Sequence, residues 1–156
     1  NEAIEAWLNA VRIRPQFAAG HENLGYAYYL QGKYADSLTH LRLALESEPN
    51  RVSDLNLAAS LLATCPDSNI RNGTEALALA DRAQKLTDGR DAAILDTLSA
   101  AYAEAGQFPK AIEVEQQAAA VAAQQGKSSL ASTLKTHLSR YESGAALREP
   151  PDPVSF

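Results

Sequence analysis

Residues 21–49 read HENLGYAYYLQGKYADSLTHLRLALESEP, and two helices joined by a turn can be traced in them. In 21–30, Leu24, Ala27 and Tyr28 recur at three- and four-residue spacing, as they would along one face of a helix. Gly32 breaks that helix, and Pro49 stops the next. The unit then recurs. Pro15 and Pro49 lie 34 residues apart, and so do Ala10 and Ala44. Asn23-Leu24 returns as Asn56-Leu57 after 33 residues, and Ala83 as Ala118 after 35. Gly32 and Gly106 each precede an aromatic residue two places on, Tyr34 and Phe108. A period of about 34 residues is that of a helix pair that buries its apolar face only by stacking on its neighbours.

The spacing predicts helices near 2–14, 18–31, 35–47, 52–64, 74–87, 92–105, 109–125 and 128–143. Gly32, Pro49, Pro66, Asn72-Gly73, Gly89, Gly106 and Gly126 punctuate them. Pro109 falls in the first turn of a helix, where proline is tolerated. Gly32 and Gly106 are expected to adopt the left-handed conformation of a helix end. The small residues Gly25, Ala27, Ala44, Ala58, Ala83, Ala101 and Ala118 alternate with Leu24, Tyr28, Leu41, Leu57, Leu61, Leu98 and Tyr102. Small against large lets facing helices interdigitate. The expected fold is all-α.

Composition narrows the function. The chain has 156 residues, with 14 Lys and Arg against 19 Asp and Glu, a net charge of -5. That balance argues against nucleic acid as the partner. No apolar run reaches the ~18 residues of a membrane span, and no signal-like start is seen. A single cysteine excludes an internal disulfide framework and any multi-cysteine metal site. The chain begins at Asn1 and has no methionine, so it is expected to be a piece of something longer, cytoplasmic or periplasmic or tethered to a membrane through other parts.

These residues resemble the tetratricopeptide repeat, whose pattern is W-x2-L-G-x2-Y, then A-x3-F, then A, then P. His21, Leu24, Gly25 and Tyr28 fill its first helix, with His in place of Trp, and Ser37, Leu41, Ala44 and Pro49 its second. Ala3, Trp7, Ala10 and Pro15 match the second helix of a preceding unit. Leu95, Leu98, Ser99 and Tyr102, then Gly106, Phe108, Ala111 and Ala118, make another. Leu57, Ala58 and Leu61, then Ala76, Ala80 and Ala83, make a degenerate one, with Asp88 in place of proline and a stretched link from Thr64 to Thr74. The resemblance covers about residues 1–125 and implies a right-handed superhelical solenoid. Its units would be a half repeat 1–15, repeats 16–49, 50–90 and 91–125, a capping helix 128–143 and a proline-containing tail 144–156. The texture is similar to the C-terminal ends of bacterial arrays of the O-linked N-acetylglucosamine transferase type.

The resemblance implies a non-catalytic scaffold that binds a protein or peptide in a concave groove lined by first helices. The alternative it implies is a regulatory or substrate-recognition domain of a larger enzyme, such as a glycosyltransferase. In transferase-type arrays, asparagines on those helices bind the backbone of an extended peptide. Asn23 and Asn56 hold that place in successive repeats and Thr97 in the next, with Tyr26, Tyr29 and Leu30 nearby as apolar anchors. Tyr28 belongs to the packing set, but Tyr26 and Tyr29 need not. The half repeat should leave Ile4, Trp7, Leu8 and Val11 partly uncovered, which favours self-association.

Little else in the chain carries chemistry, and no metal or cofactor is expected. His21-Glu22 lacks a second histidine four residues on, and His137 shares the stripe of Leu130, Leu134, Leu138 and Tyr141, as a packed histidine with a hydrogen-bond partner would. Cys65 reads as a small buried hydrophobe. Asn72-Gly73-Thr74 reads as a turn with a capping threonine, and 65–73 as a surface loop.

Overall fold

The computed structural model describes residues 2–150. Among them run α1 (Glu2–Ile13), α2 (Ala18–Leu30), α3 (Tyr34–Ser47), α4 (Val52–Thr64), α5 (Gly73–Leu86), α6 (Ala92–Glu104), α7 (Phe108–Gln124) and α8 (Ser128–Glu142), and no strand. The all-α class and the helix-pair solenoid with its terminal cap are what the sequence predicts, with ends displaced by a residue or two. Asn1 and residues 151–156, with the Pro151 and Pro153 of the expected tail, lie outside the described residues.

Local chemistry sets the ends. Gly32 and Gly106 take φ of +71° and +75°, the left-handed region in which a Cβ is strained, and each reverses the chain between the two helices of a pair. Asp91 caps α6 by accepting from the amides of Ala93 and Ile94 at 2.9 and 3.3 Å. Asn72 caps α5, its side chain accepting from Glu75 N at 3.1 Å. The expected capping threonine is therefore replaced by Asn72, because α5 begins one residue early, at Gly73.

The pairs are α2 with α3, α4 with α5 and α6 with α7; α8 lies on α7. α4 also packs directly on α6, whereas α3, α5 and α7 make no comparable approach to one another. The first helices α4 and α6 thus form an inner row, with α5 and α7 outside it. At the α2–α3 crossing, a Cβ on Gly25 would lie 2.9 Å from Leu41, and Ser37 Oγ donates to Gly25 O at 2.7 Å. At the α6–α7 crossing the direction is reversed, with Ser99 of the first helix donating to Ala111 O of the second at 2.7 Å. Leu24, Leu41, Leu55, Leu61, Leu62 and Leu134 are fully buried, each worth about 1.5–3 kcal/mol in transfer from water.

The two ends of the stack differ. No residue of α1 is buried, and Leu8 and Ile13 are exposed. α8 buries Leu134 and Tyr141 and turns Lys135, Ser139 and Arg140 to solvent. After Gly144 the chain is not helical, but it does not trail away as the expected extended tail would. Leu147 packs on the central core and Arg148 bonds Glu104 at 2.6 Å. The link after α4 is likewise only partly a surface loop. Pro66–Asn69 are exposed, but Cys65 is fully buried, Ile70 joins the core, and Arg71 donates to Cys65 O at 2.7 Å and Glu104 at 3.1 Å. No helix among the described residues is long and apolar enough to cross a membrane.

Candidate functional site

Three of the residues singled out in the sequence share one exposed face of α2. Asn23, Tyr26 and Leu30 follow one another at spacings of three and four, on the side of the helix opposite α3. Tyr26 is 38% and Leu30 55% exposed. They are large apolar side chains left in water on a helix whose other faces are packed.

The remaining three lie deeper. Tyr29 is 4% exposed and belongs to the central core with Leu57, Leu61 and Leu98. Its ring stacks on Tyr26 at 6.4 Å and tilts against Tyr34 at 6.0 Å. Tyr28 packs as expected, but the expectation that Tyr29 stands outside the packing set is corrected. Tyr28 is half-buried, stacked on His40 at 5.5 Å with Lys33 over its ring. One helical step of about 100° points Tyr29 toward α4 instead. Asn56 and Thr97 are also buried, because α4 and α6 lie directly against each other. Thr97 Oγ1 donates back to Ala93 O at 3.1 Å. Asn56 Oδ1 is buried with no hydrogen-bond partner, at a cost of roughly 1–3 kcal/mol for such an atom.

His21, standing where the repeat pattern has tryptophan, fills the α2–α3 interface by stacking on His40 at 5.2 Å. Its Nε2 faces Pro15 O at 2.9 Å and must donate, so Nδ1 accepts from His40 Nδ1 at 2.9 Å in the neutral pair. Burial and the charge of His21 both lower the pKa of His40. Burial pushes the Cys65 thiol up, in keeping with an unreactive packed side chain.

Two charged sites were not legible in the sequence. At the start of α4, Arg51 is shared by Glu22, Glu48 and Asp54, with Ser53 also donating to Glu22. Burial, and then the nearby Glu22, raise the Asp54 carboxyl to about 6 against the pull of Arg51. Between α6, α7 and α8, His137 Nδ1 sits 2.8 Å from Asp96 Oδ1 and 3.6 Å from Glu115 Oε1. Burial, then Asp96, push the Glu115 carboxyl up to about 10, and burial raises the Tyr141 hydroxyl. One signal existed: Ala111, Glu115, Ala118 and Ala122 form the buried stripe of α7, and a single acid in an alanine stripe needs a partner.

Two family models match the chain. One described as a TPR repeat covers residues 1–32, and one described as a tetratricopeptide repeat covers residues 18–51. No curated protein matches. The first third of the chain thus matches tetratricopeptide-repeat models, and the helix-pair architecture continues beyond it through α7. Such repeats generally mediate protein–protein interaction and are typically non-catalytic. The matches speak for the repeat class, not for any particular array.

Proposed function

We propose that the chain is a non-catalytic scaffold that holds an extended segment of a protein partner along the inner face of α2. The observation that carries this reading is the Asn23–Tyr26–Leu30 stripe. An amide and two large apolar side chains stand exposed on the face turned away from α3. Asn23 can donate and accept at once, which suits a peptide backbone of any sequence. Tyr26 and Leu30 supply apolar area, and tyrosine is a favoured anchor at interfaces. Asn56 and Thr97, buried where α4 meets α6, do not extend this exposed series, so the partner contact centres on α2.

A displayed random-peptide library selected on the intact chain tests this. Recovered peptides should lose roughly 30-fold in affinity on Tyr26→Ala, the equivalent of about 2 kcal/mol for an anchor, and about fivefold on Asn23→Ala. Both variants should melt like the wild type. Peptides that bind Tyr26→Ala and Leu30→Ala unchanged would refute the assignment.

A further inference from the structure

Asp96 on α6, Glu115 on α7 and His137 on α8 each offer one ligand atom, and the three atoms lie within 4.8 Å of one another. The Glu115 side chain is 0% exposed, and neither of its oxygens has a hydrogen-bond partner. A carboxyl group sealed between helices without a hydrogen-bond partner is costly. Its Oε1 is aimed at His137 Nδ1 from 3.6 Å, farther than a hydrogen bond. The buried Tyr141 hydroxyl, from the same helix as His137, is also without a partner.

We propose that Asp96, Glu115 and His137 form a binding site for a zinc ion, which fastens the terminal helix α8 to the α6–α7 pair. The donor set is one imidazole nitrogen and two carboxylate oxygens. It suits zinc and its first-row neighbours, whereas magnesium and calcium favour oxygen alone. Tetrahedral zinc with bonds of about 2.0–2.2 Å places neighbouring ligand atoms roughly 3.3–3.6 Å apart. The 3.6 Å between Nδ1 and Oε1 already meets this. The 2.8 Å between Nδ1 and Asp96 Oδ1 must open by about half an ångström as the metal replaces that hydrogen bond. Zinc displaces the proton of the buried Glu115 carboxyl to solvent, and two carboxylates with a neutral imidazole around a dication then give a site of zero net charge, which a low-dielectric interior tolerates. Glu115 closes the rear, while Asp96 and His137, 22% and 20% exposed, leave a path from solvent. Three protein ligands leave the fourth position to water.

The intact chain, stripped with a chelator and dialysed, should take up one zinc ion on titration with zinc chloride, with Kd micromolar or tighter. At a free concentration 100-fold above Kd, its melting temperature should rise by about 5 °C or more. Magnesium chloride at the same concentration should not move it. Glu115→Gln preserves shape and removes the anionic ligand. It should melt no lower than the metal-free wild type, yet bind zinc at least roughly 100-fold more weakly. Asp96→Asn should do the same at a more exposed position, which keeps the test decisive if Glu115→Gln folds poorly. His40→Ala, which breaks the other histidine cluster, should bind zinc as the wild type does. No zinc-dependent rise in the wild type, a full rise retained by both carboxylate variants, or a rise abolished by His40→Ala would overturn the proposal.

Discussion

Replacing Asp54 by asparagine should make the protein more stable at pH 8 and change little at pH 4. Asp54 has a 2% exposed side chain and shares one guanidinium, 23% exposed, with Glu48 and Glu22. A single Asp–Arg pair would ordinarily pull the carboxyl below its usual range. Here one cation answers three acids, and the most buried of them pays for desolvation. Its pKa therefore rises from 3.8 to about 6. A carboxyl raised on folding binds its proton more tightly in the folded state. Its contribution is complete below pH 3.8 and is lost as the pH climbs through about 6. The shift corresponds to roughly 3 kcal/mol over that window. Asparagine keeps an acceptor for Arg51 Nε, which donates to Asp54 at 3.0 Å, and cannot ionise.

Urea unfolding of both proteins at intervals from pH 4 to pH 8 reads the effect. The difference between them should swing by about 3 kcal/mol in favour of Asp54→Asn as the pH rises, with most of the swing below pH 7. Taking the difference removes other titrating groups, Glu115 included. A flat difference would mean that Asp54 titrates alike in both states. A swing in the opposite direction would mean that Arg51 dominates, and either result refutes the reasoning.

Tyr29→Ala should cost about 3–5 kcal/mol, as for other buried aromatics, while the exposed Tyr26→Ala should cost under 1; paired thermal melts check this. Arg71→Ala should cost roughly 1–3 kcal/mol in urea unfolding, since it leaves the Cys65 carbonyl and the 14% exposed Glu104 without this partner. Ala substitutions in Pro66–Asn69 of the same link should stay within about 0.5 kcal/mol. Gly73→Ala should cost about 1–3 kcal/mol, because its Cβ would meet backbone atoms of Ala105 at 2.9 and 3.1 Å, and a higher melting temperature would contradict that.

The helix ends were legible because they are written in local chemistry: Gly32 and Gly106 at the turns, Pro15 and Pro49 after second helices. The packing of small against large was legible for the same reason, since one motif supplies both sides of the Gly25–Leu41 contact. What stayed hidden depends on partners that periodicity along one helix does not specify. Tyr28 and Tyr29 are both aromatic and adjacent. Which one is buried depends on where α4 lies relative to α2. Glu115 sits in an alanine stripe, but its neighbours Asp96 and His137 come from two other helices. The docking of Leu147 and Arg148 required the ends of α4 and α6 to be near each other, which Arg71 and Glu104 secure. Of the six candidate partner residues, the repeat register located all on first helices, yet only the stack shows which are open.

That register also explains why the open face is confined to one helix. Offset by one repeat, Tyr26 and Leu30 of α2 correspond to Ala59 and Ala63 of α4, just as Asn23 corresponds to Asn56. In α6 the place of Tyr26 is taken by Ala100. Ala59, Ala63 and Ala100 are buried in the central cluster, where short side chains let α4 and α6 approach closely. A tyrosine at position 59 would have to displace backbone or be expelled from that contact. α2 is under no such constraint, because no comparably close approach is made between α2 and α4. Large apolar residues can stand there without disturbing the stack, and part of their surface stays open to solvent. Their burial is left to a partner, so the residues that hold the inner row together and those offered for binding are separated by repeat rather than mixed along one groove.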